Sequence, residues 1–272
     1  MRLVARLDAA PEASDYGHLD ASRYIAMNRF QVRNGASAKF EKRWADRKSR
    51  LAHLDGFRLF ALLRRVTLQN SDAFEGQFGN YVSCTVWEGR DDFEAWRTGD
   101  AFKEAHGGGG ISGFLGLLKT ALFILEGGPK PAFYEGLSPQ STADNILSSS
   151  EIVAKAGSEG WRSILADGEN LIPADSFCEM KKYRVPTGQE ESFELALTAA
   201  LAPQDGLLFY SVMRRDGGKA EDGYTYTSFA AFEDKEKLLA ARSALSTPDN
   251  CVREDETAYY EGKLTMVCPK GA

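Results

Sequence analysis

The sequence predicts an α+β fold built twice in one chain. Three observations carry this: the order of apolar patterns in the first half, a faint copy of that order in the second, and an Asp–Gly turn at the same place in each. The chain has 272 residues, room for one large domain or two of ordinary size. Hydrophobic residues make up 43%, enough to fill real cores.

The first half reads in order. Tyr24–Val32 alternates, with Tyr24, Ala26, Asn28 and Phe30 on one face and Ile25, Met27, Arg29 and Gln31 on the other, which is a strand. Asn34–Gly35 turns the chain, and Ser37 is placed to cap a helix. Phe40, Trp44, Arg47, Leu51 and Leu54 then recur at helical spacing. Asp55–Gly56 ends that helix, Phe57–Leu68 is a second strand, Gln69–Gly79 a polar loop and Asn80–Glu88 a third strand. Asp91 is placed to cap a short helix carrying Phe93 and Trp96; Thr98–Gly99–Asp100 breaks it, and Ala101–His106 adds another turn or two. This order is the first part of a ferredoxin-like unit. The glycine run Gly107–Gly110 lacks the Lys–Ser/Thr of a phosphate loop and reads as a joint. Ile111–Leu125 reads as helix, Pro129–Gly136 as an edge strand closing the unit, and Ser138–Ser150 as a linker.

The second half repeats this faintly. Phe177–Val185 aligns with Tyr24–Val32, Gly188 with Gly35, Phe193 with Phe40, Asp205–Gly206 with Asp55–Gly56, and Val212–Arg215 with Leu62–Arg65. Tyr224–Phe232 follows as the third strand and Asp234–Leu245 as the second helix. A sheet with helices on one face leaves the other face apolar and uncovered. Two copies cover it internally. The expectation is therefore two tandem ferredoxin-like units, in the manner of a dimeric α/β barrel, packed sheet on sheet as an intramolecular pseudo-dimer. The expected boundaries are an arm over 1–19, a first domain over 20–136, a linker over 137–150 and a second domain over 151–268.

Composition excludes several roles. A net charge of −6 with no basic block argues against nucleic acid and anionic membrane as partners. No segment has 18 uncharged apolar residues in a row, so no membrane span is expected. The four cysteines make no CxxC pair and no zinc spacing; Cys84, inside a strand, reads as a reduced buried thiol. The first residues lack an apolar core flanked as in a secretory signal. The expected compartment is the cytoplasm or an organelle stroma, a plastid included.

Three segments carry a family resemblance: Tyr24-Ile-Ala-Met-Asn-Arg-Phe30, Thr85-Val-Trp-Glu88, and Phe93-Glu-Ala-Trp-Arg-Thr-Gly-Asp-Ala-Phe-Lys-Glu-Ala-His106. They resemble the IsdG-type haem-degrading monooxygenases of the antibiotic-biosynthesis monooxygenase superfamily, over about residues 20–110 and weakly again over 177–245. The resemblance implies a site of Asn28, Trp96 and His106. His106 is then the axial ligand of haem iron, leaving the opposite face open. Asn28 is an amide donating to oxygen species on the iron, and Trp96 an indole pressing on the porphyrin. Arg29 is carried as a haem-binding residue through the propionates, with Arg97 and Lys103 as rivals that spacing does not separate. In the second half Lys181 stands at the Asn28 position, Ala241 near the Trp96 position, and no His follows residue 106. One haem per chain is implied.

The function so implied is a haem oxygenase. Haem is substrate and cofactor, an external donor such as a reductase supplies electrons, no flavin or nicotinamide site is expected, and a meso carbon is attacked to release iron and an open-chain tetrapyrrole. The chain is expected to act as a monomer. Two rival readings stand beside it: a cofactor-free monooxygenase of the same superfamily oxidising a phenol or anthrone to a quinone, and a haem carrier that leaves the ring intact.

Overall fold

The computed structural model describes residues 19, 21–45, 51, 54–68, 78–105, 123–140, 161–163, 170–173, 176–199, 204–216, 226–242 and 253–267. The first half contributes β1 (Ala21–Phe30), α1 (Ser37–Ala45), β2 (Phe57–Val66), β3 (Tyr81–Trp87), α2 (Arg90–Thr98), α3 (Asp100–Ala105) and β4 (Lys130–Gln140). Two short strands follow, β5 (Trp161–Ser163) and β6 (Asn170–Pro173). The second half contributes β7 (Phe177–Arg184), α4 (Glu190–Ala199), β8 (Leu207–Arg215), β9 (Tyr226–Phe232), α5 (Lys235–Ala241) and β10 (Arg253–Val267).

Eight strands run in the order β2-β3-β1-β4-β8-β9-β7-β10, and β10 pairs back onto β2. The ladders are antiparallel, so the sheet closes into a barrel, with β6 and β5 continuing from β10. Closure removes the free edges that a four-stranded half would expose. β4 is thus not the edge strand the sequence suggested. It lies between β1 and β8, pairing with both, and runs past residue 136 to Gln140. β4 pairs with β8 and β10 with β2, so strands from the two parts of the chain are joined by hydrogen bonds.

Alternation along each strand divides the apolar residues in two. Ile25, Met27, Leu63, Val82, Cys84, Val86, Met180 and Met213 belong to one cluster that fills the barrel. Tyr24, Ala26, Phe30, Phe60, Leu62, Tyr81 and Trp87 face outward, where Phe40 of α1 and Phe93 of α2 cover them. A separate outer cluster lies under α4 and α5, with Phe193, Leu197 and Leu238 against Tyr183, Tyr210 and Tyr226. The aligned Phe40 and Phe193 are 2% and 0% exposed, each anchoring its helix to its own half of the barrel. Cys84 and Cys178 are buried free thiols, and burial pushes Cys178 up to about 12 and Cys84 higher, so neither is a reactive thiolate near neutrality.

The caps depart slightly from expectation. α2 starts from Gly89, leaving Asp91 and Asp92 inside the first turn, where their charge favours the helix N-terminus. α1 begins at Ser37 itself. The matched turn glycines Gly56 and Gly206 have φ of +68° and +71°. Gly79 has φ +75°, and a Cβ there meets the backbone oxygen of Phe30 at 2.6 Å. Backbone cannot yield as a side chain does. Gly79→Ala is therefore expected to cost about 2–3 kcal/mol, read from urea unfolding, and a loss below about 1 kcal/mol would contradict this placement.

Several sequence readings lie outside the described residues: most of the expected arm, His106, the glycine run, residues 111–122 of the expected helix, and most of the linker. At the end of that expected helix, Leu125 instead bridges Val32, with Arg33 N–H donating to Ile124 and Glu126 N–H donating to Gln31. Among the described residues, no helix is long and apolar enough to cross a membrane.

Candidate functional site

The outer face of the first half carries the residues singled out above. β1 sits between β3 and β4, and Asn28 lies opposite Ser83 on one side and Pro131 on the other. Asn28 is half-buried on the face of Tyr24, Ala26 and Phe30. Ser83 is 5% exposed and Thr85 7%, and the Thr85 hydroxyl donates to the Ala26 carbonyl at 3.3 Å. Asn28, Ser83 and Thr85 thus form a short polar strip on an otherwise aromatic face.

Aromatic clusters flank the strip. Under α2 and α3, Trp96 stacks on Trp87 at 5.3 Å and 29°, with Phe93 at 5.8 Å and Phe102 edge-on at 5.0 Å. Phe93 reaches Phe133 on β4 at 5.5 Å and Tyr24 at 5.3 Å. Phe93 and Trp96 sit three residues apart, so one helix face presents both to the sheet. Under α1, Trp44 stacks on Phe60 at 5.4 Å, and Phe30, Phe40 and Tyr81 complete that cluster. Trp44 and Trp87 both pack on the outer face, Trp87 fully buried. Tyr24 Oη donates to Asp216 at 2.7 Å, tying this face to the second half; burial and that hydrogen bond raise the Tyr24 pKa.

Asn28 and Trp96 therefore share one face. α3 ends at Ala105, and His106, which follows it directly, lies outside the described residues. Arg29 does not join them. It is 5% exposed, on the opposite side of β1 beside Met27 of the barrel interior, so alternation corrects its expected place at the site. Arg97 pairs with Glu94 at 2.6 Å and Lys103 with Asp100 at 2.9 Å, both on the surface within their own helices, where such pairs contribute little. Ser83 and Thr85 were not singled out in the sequence, because a register is needed to set them beside Asn28.

The corresponding face of the second half is built differently. Lys181 lies opposite Ser228, as Asn28 lies opposite Ser83. Lys181 is 6% exposed and within 3.2 Å of Glu179, itself 3% exposed, and Tyr183 Oη lies 3.1 Å from Ser228 Oγ. Nearby, Glu194 is fully buried; it accepts from Tyr226 Oη at 2.6 Å and from the Leu19 N–H at 2.8 Å, with Arg214 at 3.6 Å. Side chains occupy this face where the first half presents a half-open strip.

Comparison with known proteins places this geometry. Residues 23–108 match the model of the antibiotic biosynthesis monooxygenase family. The chain is 33% identical over 85 residues to a staphylobilin-producing haem oxygenase of Staphylococcus saprophyticus, an alignment spanning 31% of this chain and 74% of that one. A haem oxygenase of the same description from Staphylococcus haemolyticus is 34% identical over 83 residues, spanning 30% of this chain and 72% of that one. Two solved structures share the fold across both halves. A candidate monooxygenase of Fusobacterium nucleatum gives a TM-score of 0.54 at 11% identity, covering 89% of this chain and 93% of that one. An anthrone oxidase-like protein gives 0.51 at 12% identity, covering 91% and 93%. The matched segment runs from β1 to just beyond α3 and holds Asn28, Trp96 and His106. The chain belongs to the antibiotic biosynthesis monooxygenase family, as an IsdG-like member.

Proposed function

We propose that the chain is a haem oxygenase that binds one haem on the outer face of its first half and opens the ring oxidatively. The observation that carries this is the half-buried amide of Asn28 on a polar strip between aromatic clusters, with Trp96 on the same face. These residues fit a planar, largely apolar macrocycle with one polar contact over its open face. His106, just after α3, is the proposed axial ligand. Trp96, backed by Trp87 and Phe93, is a stiff wall rather than a yielding one, and would fix the position of a bound ring. Asn28, fixed mid-strand between two neighbours, keeps its amide at one position and orients what approaches the iron. Bound haem supplies the redox chemistry, an external donor the electrons, and a meso carbon the point of attack. Arg29 has no role in this reading.

Asn28→Ala separates binding from chemistry. The variant is expected to take up hemin with nearly unchanged affinity and to lose about a hundredfold in the rate of Soret decay under ascorbate, the scale of one well-placed donor. Unchanged decay would remove Asn28 from the chemistry. A second reading draws on the same strip: Asn28, Ser83 and Thr85 also suit a phenol held for cofactor-free oxidation. Hemin titration separates the two, because that chemistry needs no axial ligand.

We read the architecture as a tandem pseudo-dimer. β4 with β8 and β10 with β2 are the two seams expected when matched units exchange their last strands. The second half then acts as the partner that closes the barrel, its own outer face filled by Lys181, Glu179 and Glu194, and the chain works as a monomer with one site.

A further inference from the structure

Two contacts of the same kind join the halves. Arg64 on β2 reaches Glu41 of α1 at 3.3 Å and Glu261 of β10 at 3.1 Å, and Tyr81 Oη donates to Glu41 at 2.7 Å. Arg214 on β8 reaches Glu194 of α4 at 3.6 Å and Glu135 of β4 at 2.7 Å, and Tyr226 Oη donates to Glu194 at 2.6 Å. All four positions match. Arg64 corresponds to Arg214 and Glu41 to Glu194 by the alignment of the halves, and Tyr81 corresponds to Tyr226 and Glu261 to Glu135 by register. A contact built twice is explained by the barrel, which both halves share.

A third contact has no counterpart. Tyr24 Oη on β1 donates to Asp216, the residue after β8, at 2.7 Å. At the matching positions stand Phe177, which has no hydroxyl, and Val66, which has no acceptor; both pack with the outer cluster of the second half. Asp216 holds more than Tyr24. Its N–H donates to the Phe133 carbonyl at 3.0 Å, and its carboxylate, 9% exposed, lies 3.5 Å from Arg90 at the start of α2. Arg90 is largely exposed, so that pair adds little. The rings of Tyr24 and Phe133 meet Phe93 at 5.3 and 5.5 Å, and Phe93 meets Trp96 at 5.8 Å. One residue of the second half is thus tied to two of the rings that support Phe93.

We propose that Asp216 is a positioning residue of the site on the first half: by holding Tyr24 and Phe133 it sets Phe93, and through Phe93 the indole of Trp96. Tyr24 is 4% exposed, so without this acceptor its hydroxyl is left short of a partner and the ring must turn to find one. Close-packed rings pass such a shift on rather than absorb it. The second half then helps to shape the site as well as closing the barrel. What the site binds rests on the haem reading; the chain of contacts from Asp216 to Trp96 does not.

The test uses the full chain. In the hemin-free protein, the long-wavelength tryptophan edge of the near-ultraviolet circular dichroism reads the stack of Trp96 on Trp87, 5.3 Å apart at 29°. Asp216→Ala and Tyr24→Phe are each expected to change that edge. Asp216→Asn, whose side-chain oxygen still accepts from Tyr24, is expected to keep it, and Asp216→Ala in a Trp96→Phe background is expected to change nothing further. With hemin and ascorbate, Asp216→Ala and Tyr24→Phe are each expected to slow Soret decay about tenfold at nearly unchanged hemin affinity, and Asp216→Asn to recover the rate. Glu261→Ala, which opens the repeated contact on β2, is expected to lower Tm and leave both readouts as they were. Should Asp216→Ala fail to fold, Tyr24→Phe, which keeps the ring, decides. An unchanged tryptophan edge or unchanged decay in Tyr24→Phe, or equal slowing by Glu261→Ala, overturns the proposal. If the unaltered chain takes up no hemin, the haem reading falls, and the tryptophan edge still decides whether Asp216 sets Trp96.

Discussion

His106→Ala is expected to abolish stoichiometric hemin binding, weakening it on the order of a hundredfold or more. The chain has three histidines, His18, His53 and His106, and only His106 follows the helix pair that carries Trp96. Among the described residues, the cysteines are placed badly. Cys84 and Cys178 face the barrel interior, with burial holding their thiols protonated. Were His106 to hold the iron as proposed, its loss would leave the macrocycle to apolar contact and Asn28, and the expected spectral change is diffuse rather than saturable. Added imidazole is expected to restore part of the Soret shift in the Ala variant. A His106→Ala protein that titrates to the same endpoint, with the same spectrum, would show that iron is held elsewhere.

The second large effect falls in the other half. Glu194→Ala is expected to destabilise the protein by about 3–5 kcal/mol, the usual result of removing one partner from a buried charge cluster. Glu194 is 0% exposed and gathers three donors: the hydroxyl of Tyr226, the backbone N–H of Leu19 and the Arg214 guanidinium. Its loss takes one acceptor from each of them inside the outer core of the second half. Arg214 keeps Glu135, at 3.0 and 2.7 Å, which sets the loss nearer the lower end. Glu194→Gln retains an acceptor and much of the shape, and is expected to lose less. The measurement is chemical denaturation of the three proteins. A loss below about 1 kcal/mol in the Ala variant would mean this face is not held by its charges. Because the cluster is remote from Asn28, hemin stoichiometry of the folded variant is expected to stay unchanged.

Periodicity served well where one face of an element is buried. The alternation from Tyr24 to Phe30 gave both the strand and its faces, and Phe40, Phe93 and Phe193 marked the helix faces that pack. The Asp–Gly turns were legible because Gly56 and Gly206 hold backbone angles that side chains avoid. What alternation does not encode is which strand lies beside which. The short run before Ser138 reads as an edge, and only pairing with β8 reveals β4 as a seam. The same gap hid Ser83 and Thr85, since their place beside Asn28 is a matter of register. Arg29 came to the site only through the resemblance: alternation already sets it on the face opposite Asn28, and it is buried there. Asn28 and Trp96 were found through the spacing of a family pattern rather than from local physics; the structure adds the shared face and the aromatic wall behind Trp96.

One measurement bears most directly on the central claim. The full chain is titrated with hemin, then given ascorbate with catalase in air while the Soret band and released ferrous iron are followed together. The expected result is saturation at one hemin per chain, followed by loss of the band and release of about one iron for each haem lost. Saturation at two, or a Soret band that persists under reductant and oxygen, would contradict a single degrading site on the first half of the barrel.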